Sequence, residues 1–219
     1  MSTIAEQAAE VSAASATHLP AELARVFTDE QRGWRDRGEP VGVITAGDEL
    51  ADFTLPDANG SPVSLGELLA DGPAVIVFYR GGWCPYCNLA LRAYQTELLP
   101  ELDRYSARLV AISPQSPDKS LRTQEKAQLA FTVLSDAGAQ TARSVGIAFE
   151  PADDVLVAQR ELGLDLRKFN ASGSTDLPMP TVLIVDSERI VRFADTHADY
   201  TARTEVVDIL AALAAISAN

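Results

Sequence analysis

Two cysteines, Cys84 and Cys87, are the residues of this chain whose type and spacing are best suited to chemistry. They are the only cysteines in 219 residues, and two residues separate them. A disulfide between residues this close in sequence does not cross-link distant parts of a fold, so a structural disulfide framework is excluded. In a reducing compartment such a pair indicates redox chemistry or metal binding. Only His18 and His197 are available to complete a Cys/His zinc site, and we expect neither a metal nor a cofactor.

The cysteines lie where a buried strand is predicted to turn into a helix. Residues 74–79 are continuously apolar and rich in β-forming residues, and a glycine pair follows. After the cysteines, apolar side chains recur at helical spacing, and Pro100 is expected to kink that helix. Cys84 is predicted to begin the helix, with Pro85 in a first turn that needs no backbone donor. The sulfurs then share one helix face, where the dipole favours thiolate.

The remaining pattern alternates strands with helices, which predicts a three-layer α/β fold with a mixed central sheet flanked by helices. Residues 1–40 are expected to form an N-terminal helical extension, and residues 41–219 the main domain. The other predicted elements are a hairpin at 51–65, strands at 109–113, 131–134 and 181–185, a loop at 170–178, a strand at 190–193 and a final helix at 202–216.

Composition excludes several classes of function. Eighteen basic and 31 acidic residues give a net charge of −13, which disfavours nucleic acid and anionic lipid as partners. The longest apolar run is far shorter than the ~20 residues of a membrane span. The start of the chain has no signal-peptide pattern, so the cytoplasm is the expected location.

The cysteine segment resembles the active sites of the thioredoxin-fold superfamily. Residues 83–87, Trp-Cys-Pro-Tyr-Cys, are similar to the thioredoxin Trp-Cys-x-x-Cys, and their Pro-Tyr pair is similar to that of glutaredoxins. Residues 179–181, Met-Pro-Thr, are similar to the thioredoxin cis-proline loop, which lies against the disulfide. The resemblance implies that the cysteines are supported by Trp83, Pro85, Tyr86, Pro180 and Thr181.

Over residues 45–215 the chain resembles peroxiredoxins of the alkyl hydroperoxide reductase and thiol-specific antioxidant group. The resemblance rests on Asp-Phe-Thr-Leu-Pro-Asp at 52–57, on Phe-Tyr-Arg at 78–80 and on the strand near residue 182. A peroxiredoxin-like branch with Arg-Gly-x-Trp-Cys-Pro-Tyr-Cys is the nearest match. The family implies a thioredoxin-like fold, a hydroperoxide substrate and a thioredoxin or small-thiol reductant. Homodimers are common among its members.

Two departures from the peroxiredoxin pattern concern the site itself. The match places Cys87 on the peroxidatic cysteine and Cys84 where peroxiredoxins carry a threonine. It also places Pro180 near the position of the family's peroxide-polarising arginine. We expect Arg80, at the end of the buried strand, to supply that charge.

The run Asp-Tyr-Thr-x-Arg at 199–203 also resembles the peroxiredoxin-like branch; its Tyr200 and Arg203 either line the rim of the active site or pin the last helix, and we favour pinning. His197 is expected in a surface loop.

Three functions therefore remain open at the level of sequence. In a thiol peroxidase, Cys87 attacks a hydroperoxide and condenses with Cys84 to a disulfide. In a thioredoxin-like or glutaredoxin-like oxidoreductase, Cys84 is exposed at the helix start and attacks a protein disulfide, and Cys87 resolves the intermediate. In a binding module, the fold is kept and the cysteines are idle.

Overall fold

The computed structural model describes residues 2–217. Its strands are β1 Thr54–Pro56, β2 Pro62–Ser64, β3 Ala74–Phe78, β4 Arg108–Ser113, β5 Thr132–Ser135, β6 Ala148–Phe149, β7 Leu177–Pro178, β8 Thr181–Val185 and β9 Val191–Thr196. Its α-helices are α1 Ile4–His18, α2 Ala21–Arg37, α3 Leu65–Leu68, α4 Pro85–Ala93, α5 Pro117–Ala127, α6 Gln140–Ser144, α7 Asp153–Glu161, α8 Leu166–Phe169 and α9 Val206–Ser217.

A five-stranded mixed sheet with the order β5-β4-β3-β8-β9 forms the centre of the fold. Strand β3 is parallel to β4 and antiparallel to β8, and β8 pairs antiparallel with β9. Every residue of β3 is buried because helices cover both faces of the sheet. The predicted α/β fold with a mixed sheet is confirmed, and so is the predicted hairpin of β1 and β2.

Alternate residues of β3 feed two hydrophobic clusters, one on each face of the sheet. Val75 and Val77 join the cluster that also holds both cysteines, while Ile76 and Phe78 join the other. Helix α4 therefore packs on the Val75 face. The last helix, α9, packs its apolar side on the same cluster.

Three predicted boundaries differ from the structure. The helix after the cysteines is regular only to Ala93; a π-helical turn, Tyr94–Leu98, and a 3₁₀ segment, Leu99–Tyr105, follow it. Pro100 lacks a backbone donor and its ring clashes with the preceding turn, so the regular bonding pattern ends before it. The predicted loop at 170–178 contains β7, which pairs with β6, and the last helix begins at Val206 rather than 202.

The N-terminal helices pack against the main domain and do not extend from it. The carboxylate of Glu205 accepts hydrogen bonds from the backbone amides of Ile4 and Ala5, at 3.0 and 2.8 Å. Trp34 meets Phe149 edge-on, with ring centroids 5.0 Å apart. Among residues 2–217, no helix has the length and hydropathy needed to cross a bilayer.

Candidate active site

Both cysteines lie at the start of α4, directly after the central strand. Cys84 is the residue that caps the helix, and Cys87 lies in its first turn, so the helix begins one residue later than predicted. Pro85 occupies the first turn, as expected. The two sulfurs are not joined by a disulfide in this structure, and each cysteine is only 1% exposed.

The glycine pair before the cysteines allows the strand to turn tightly into α4. Gly81 has φ +153°, and a side chain there would collide with the indole of Trp83. A side chain at Gly82 would collide with Thr123. The amide of Gly82 instead donates to Oε1 of Gln115 at 3.0 Å. The loop is therefore held by its backbone close to its neighbours, and the cysteines are fixed relative to the sheet.

The guanidinium of Arg203 contacts both sulfur atoms. Its Nη2 lies 3.1 Å from Sγ of Cys87 and 3.9 Å from Sγ of Cys84. The prediction that Arg203 only pins the last helix is wrong. The final helix begins at Val206, three residues later, and this leaves Arg203 in an irregular segment that reaches the cysteines.

Backbone carbonyl groups hold the guanidinium of Arg203 in place. Its Nη1 donates to the carbonyl oxygens of Tyr200 and Ala202, at 2.6 and 2.5 Å. The buried hydroxyl of Tyr94 donates to the carbonyl of Thr204 at 2.7 Å, which fixes the segment beside α4. One side of the guanidinium is therefore bound to its own segment, and the other side faces the sulfurs.

The two sulfurs have opposite electrostatic environments. Burial alone would raise the pKa of Cys87, but a hydrogen bond from Cys84, the charge of Arg203 and the amide and charge of Arg80 lower it well below its usual range. Burial, together with its bond to Cys87, raises the pKa of Cys84 well above that range. The pair is therefore arranged as a Cys87 thiolate that accepts a hydrogen bond from a Cys84 thiol.

Arg80 does not contact the sulfurs through its guanidinium in the way Arg203 does. It is 3% exposed, with its guanidinium carbon 4.0 Å from the ring centre of Tyr200 and 5.1 Å from that of Trp83. Its Nε has no hydrogen-bond partner. The contact expected of Arg80 is made by Arg203, because the backbone of Arg80 faces Cys87 while its side chain points toward the aromatic rings.

Pro180 and Thr181 lie on the Cys87 side of the pair. They line a small cavity of about 10 Å³, room for about one water molecule, together with Cys87, Arg203 and His197; we call it the inner cavity. The expectation of a cis bond at Pro180 is wrong, since residues 2–217 contain no cis peptide. The proline is tolerated at this position because it precedes the first residue of β8 and gives up no sheet hydrogen bond.

Trp83, Pro85 and Tyr86 lie on the other side, beside Cys84. They line a larger cleft of about 230 Å³, which is partly open to solvent and also bounded by Arg80 and Tyr200; we call it the outer cleft. Its opposite wall comes from the N-terminal extension, through Ser15, Leu19, Phe27 and Gln31.

The extension covers Cys84. The hydroxyl of Tyr86 is 3.0 Å from that of Ser12 on α1, and Tyr200 accepts a hydrogen bond from Gln31 on α2 at 3.0 Å. The expectation that Cys84 is exposed at the helix start is therefore wrong. The helices that face Cys84 across the outer cleft are distant in sequence, and no local pattern around the cysteines indicates them.

Several site residues were missed by sequence reasoning. His197, expected in a surface loop, lines the inner cavity and lies 3.2 Å from the carboxylate of Asp195. The hydrogen bond from His197 lowers the pKa of the Asp195 carboxyl. The one available signal for Arg203 was its place in the run Asp-Tyr-Thr-x-Arg at 199–203, which resembles the same peroxiredoxin-like branch. Within residues 2–217 no cluster of three or more His, Cys, Asp or Glu is placed to hold a metal ion.

The sequence matches the model of the AhpC/TSA family over residues 46–194. The relative Rv1608c of Mycobacterium tuberculosis is 35% identical over 104 residues, which make up 48% of this chain and 67% of that protein. Peroxiredoxin Bcp of Escherichia coli is 32% identical over 105 residues, 48% of this chain and 65% of that protein. The chain thus aligns with about two thirds of the length of these relatives.

Two solved structures of peroxiredoxins have the same fold as this chain. The crystal structure of peroxidoxin BcpB from Mycobacterium tuberculosis superposes with a TM-score of 0.63 and 26% identity. The superposition covers 79% of this chain and 98% of that one. Mycobacterium tuberculosis AhpC, at 16% identity, has the same fold with a TM-score of 0.61.

Proposed function

The chain belongs to the AhpC/TSA family, and from that membership and its site we propose that it reduces hydroperoxides with Cys87 as the attacking thiolate and Cys84 as the resolving thiol. The resemblance to peroxiredoxins is confirmed, and the protein is a thiol-dependent redox enzyme of that family. The observation that carries the assignment of roles is the contact of Arg203 with Cys87 at 3.1 Å.

The first step takes place on the side of Cys87 that faces Arg203 and the inner cavity. The Cys87 thiolate attacks the terminal oxygen of the hydroperoxide, the O–O bond breaks, and the released alkoxide or hydroxide takes up a proton. Cys87 becomes a sulfenic acid, so the sulfur loses the two electrons that the peroxide gains. Arg203 stabilises the thiolate and is placed to stabilise negative charge developing on the peroxide oxygens.

The second step joins the two cysteines. The Cys84 thiol attacks the Cys87 sulfenic acid, a disulfide forms, and water leaves. Before this step the Cys84 thiol has the role that a threonine hydroxyl has in the family pattern, because it donates a hydrogen bond to the Cys87 sulfur. A thioredoxin or a small thiol then reduces the disulfide.

Burial of Cys84 disfavours exchange with protein disulfides. An oxidoreductase of the thioredoxin type must bring the first sulfur against a partner's disulfide, yet Cys84 is 1% exposed beneath the N-terminal helices. A binding module with idle cysteines does not explain why a buried arginine is held against both sulfurs.

Trapping of the intermediate tests the assignment. We expect the Cys84→Ser variant, treated with hydrogen peroxide and then dimedone, to carry a sulfenic adduct on Cys87 by mass spectrometry. The Cys87→Ser variant is the matched control and should consume peroxide no faster than a free cysteine. An adduct found only on Cys84, in the Cys87→Ser variant, would reverse the roles. Failure of the wild type to react, together with rapid reduction of insulin disulfides, would favour the oxidoreductase.

A further inference from the structure

We propose that the outer cleft binds a small, carboxylate-bearing thiol with an apolar body, which reduces the Cys84–Cys87 disulfide by attacking Cys84. This inference rests on the proposed function and identifies the reductant that completes its cycle. It is carried by the position of Cys84, by the unpaired charge of Arg80 and by the apolar wall that the N-terminal helices supply.

The two cysteines line different cavities. Cys87 lines the inner cavity, and Cys84 lines the outer cleft. A molecule in the outer cleft therefore lies beside Cys84 and not beside Cys87, whose sulfur reacts with peroxide. A thiol must attack one sulfur of the disulfide and displace the other, so the cleft is placed for the reducing half of the cycle.

The cleft contains a buried cation that lacks an anionic partner. Arg80 is 3% exposed, its Nε makes no hydrogen bond, and it forms no ion pair among residues 2–217; its guanidinium lies over the rings of Tyr200 and Trp83. Glu30 is near enough for its pKa to respond to Arg80, yet it lines a separate cavity. A buried charge without a partner is costly, and a ligand carboxylate in the cleft would offset that cost.

The rest of the cleft favours an apolar or aromatic ligand body. Leu19 and Phe27 of the extension line the cleft together with Trp83 and Tyr86 of the cysteine segment, and Leu164 lines it as well. The volume of about 230 Å³ lies just below the range of drug-sized ligand pockets and suits a small thiol. The helices that form its wall also cover Cys84, which opposes the approach of a folded protein and favours a small thiol.

The chemistry of reduction fits the asymmetry of the pair. A ligand thiolate forms a bond to Sγ of Cys84, the disulfide breaks, and the electron pair goes to Cys87, which leaves as a thiolate beside Arg203. A second ligand thiolate attacks the ligand sulfur of the mixed disulfide, and Cys84 leaves and takes up a proton. In sum, two thiols are oxidised to one ligand disulfide, and both cysteines are reduced.

A pair of matched thiols tests the proposal. The Cys84–Cys87 disulfide is formed with one equivalent of hydrogen peroxide, and its reduction is followed with 4-(mercaptomethyl)benzoate or with neutral benzyl mercaptan. We expect the wild type to react about tenfold faster with the anionic thiol, a difference of about 1.4 kcal/mol. Arg80→Gln should abolish this preference, and Arg80→Lys should keep most of it. Arg25→Gln, which removes an exposed arginine of α2, should leave it unchanged.

Several outcomes would overturn the proposal. Equal rates for the two thiols in the wild type would do so, and so would a preference that survives Arg80→Gln. If Arg80→Gln does not fold, Leu19→Trp narrows the cleft and should slow the benzoate thiol more than it slows 2-mercaptoethanol; equal slowing would count against the cleft. If peroxide fails to form the disulfide, the proposed function fails, but the same rates can be measured on a disulfide formed with diamide.

Discussion

Nη2 of Arg203 lies 3.1 Å from Sγ of Cys87, although 116 positions separate the two residues in sequence. The contact depends on the segment between β9 and α9, which returns to the start of α4 and is fixed there by Tyr94. A buried sulfur would otherwise resist ionisation, so this contact is the main support for a reactive thiolate in a largely apolar site.

Removal of the Arg203 charge should slow the reaction with peroxide. Loss of a neighbouring opposite charge raises the pKa of an acid by about 1–3 units, so Arg203→Met should move the Cys87 titration to higher pH. At pH 7 it should also lower the rate by at least about tenfold, because the charge developing on the peroxide oxygens loses its cationic donor. Arg203→Lys keeps the positive charge, so its rate of reaction with peroxide should decrease less. Stopped-flow mixing with hydrogen peroxide measures the rate, and thiolate absorbance as a function of pH measures the titration of Cys87. A Met variant with the wild-type rate and titration would show that the contact is not electrostatic support.

The pH dependence of the peroxide step should follow the ionisation of Cys87. Because the thiolate reacts and its pKa lies well below the usual range, the rate should be constant near neutral pH and fall at lower pH, tenfold per unit below the pKa. Cys84→Ala removes the hydrogen bond to Cys87, so the pH below which the rate decreases should become higher. Cys84→Thr restores a hydrogen-bond donor and is the control; it should change this pH less than Cys84→Ala does. A rate that rises through pH 8.5, like that of an unperturbed thiol, would contradict the lowered pKa.

Glu30 should reduce stability at neutral pH. Both its carboxylate oxygens are buried without a hydrogen-bond partner, and burial raises its pKa above the ordinary 4.5, with the charge of Arg80 offsetting only part of the effect. A raised pKa in the folded state means that its contribution is most favourable below pH 4.5 and is lost as pH rises through the folded value. Glu30→Gln should therefore stabilise the protein at pH 7, on the order of 1 kcal/mol.

Urea unfolding at two pH values measures this effect. The gain from Glu30→Gln should shrink when the pH is lowered to 4, where the carboxyl of the wild type is protonated. Glu10→Gln changes an exposed carboxylate of α1 and should leave stability nearly unchanged at both values. A loss of stability in Glu30→Gln at pH 7 would show instead that the ionised carboxylate is favourably paired.

Glu205 should hold the N-terminal helix in place. Its carboxylate accepts the backbone amides of Ile4 and Ala5 in the first turn of α1, so Glu205→Ala should cost about 1 kcal/mol, as the loss of a helix cap does. Hydrogen exchange in α1 should become faster, while exchange in β3 should change only with global stability. Glu188→Ala removes an exposed carboxylate of the β8–β9 turn and is the control. Unchanged exchange in α1 would mean that its apolar contacts alone fix the helix.

Much of the fold was accessible from sequence because it depends on local patterns. An unbroken apolar run between glycines predicted β3, and apolar spacing with Pro85 in the first turn predicted the start of α4 to within one residue. Spacing alone also placed Cys84 and Cys87 together, because residues three apart share a helix face. The alternation of strands and helices predicted the mixed sheet.

The environment of the sulfurs depended on contacts that no local pattern encodes. Arg203 reaches Cys87 because the final helix begins late, and Cys84 faces a cleft whose opposite wall comes from two helices at the start of the chain. The sequence by itself determined which atoms are able to exchange electrons and which strand and helix hold them. The tertiary structure decided which sulfur is ionised and which cavity each one faces, since charge and burial at a site are set by residues brought together from distant parts of the chain.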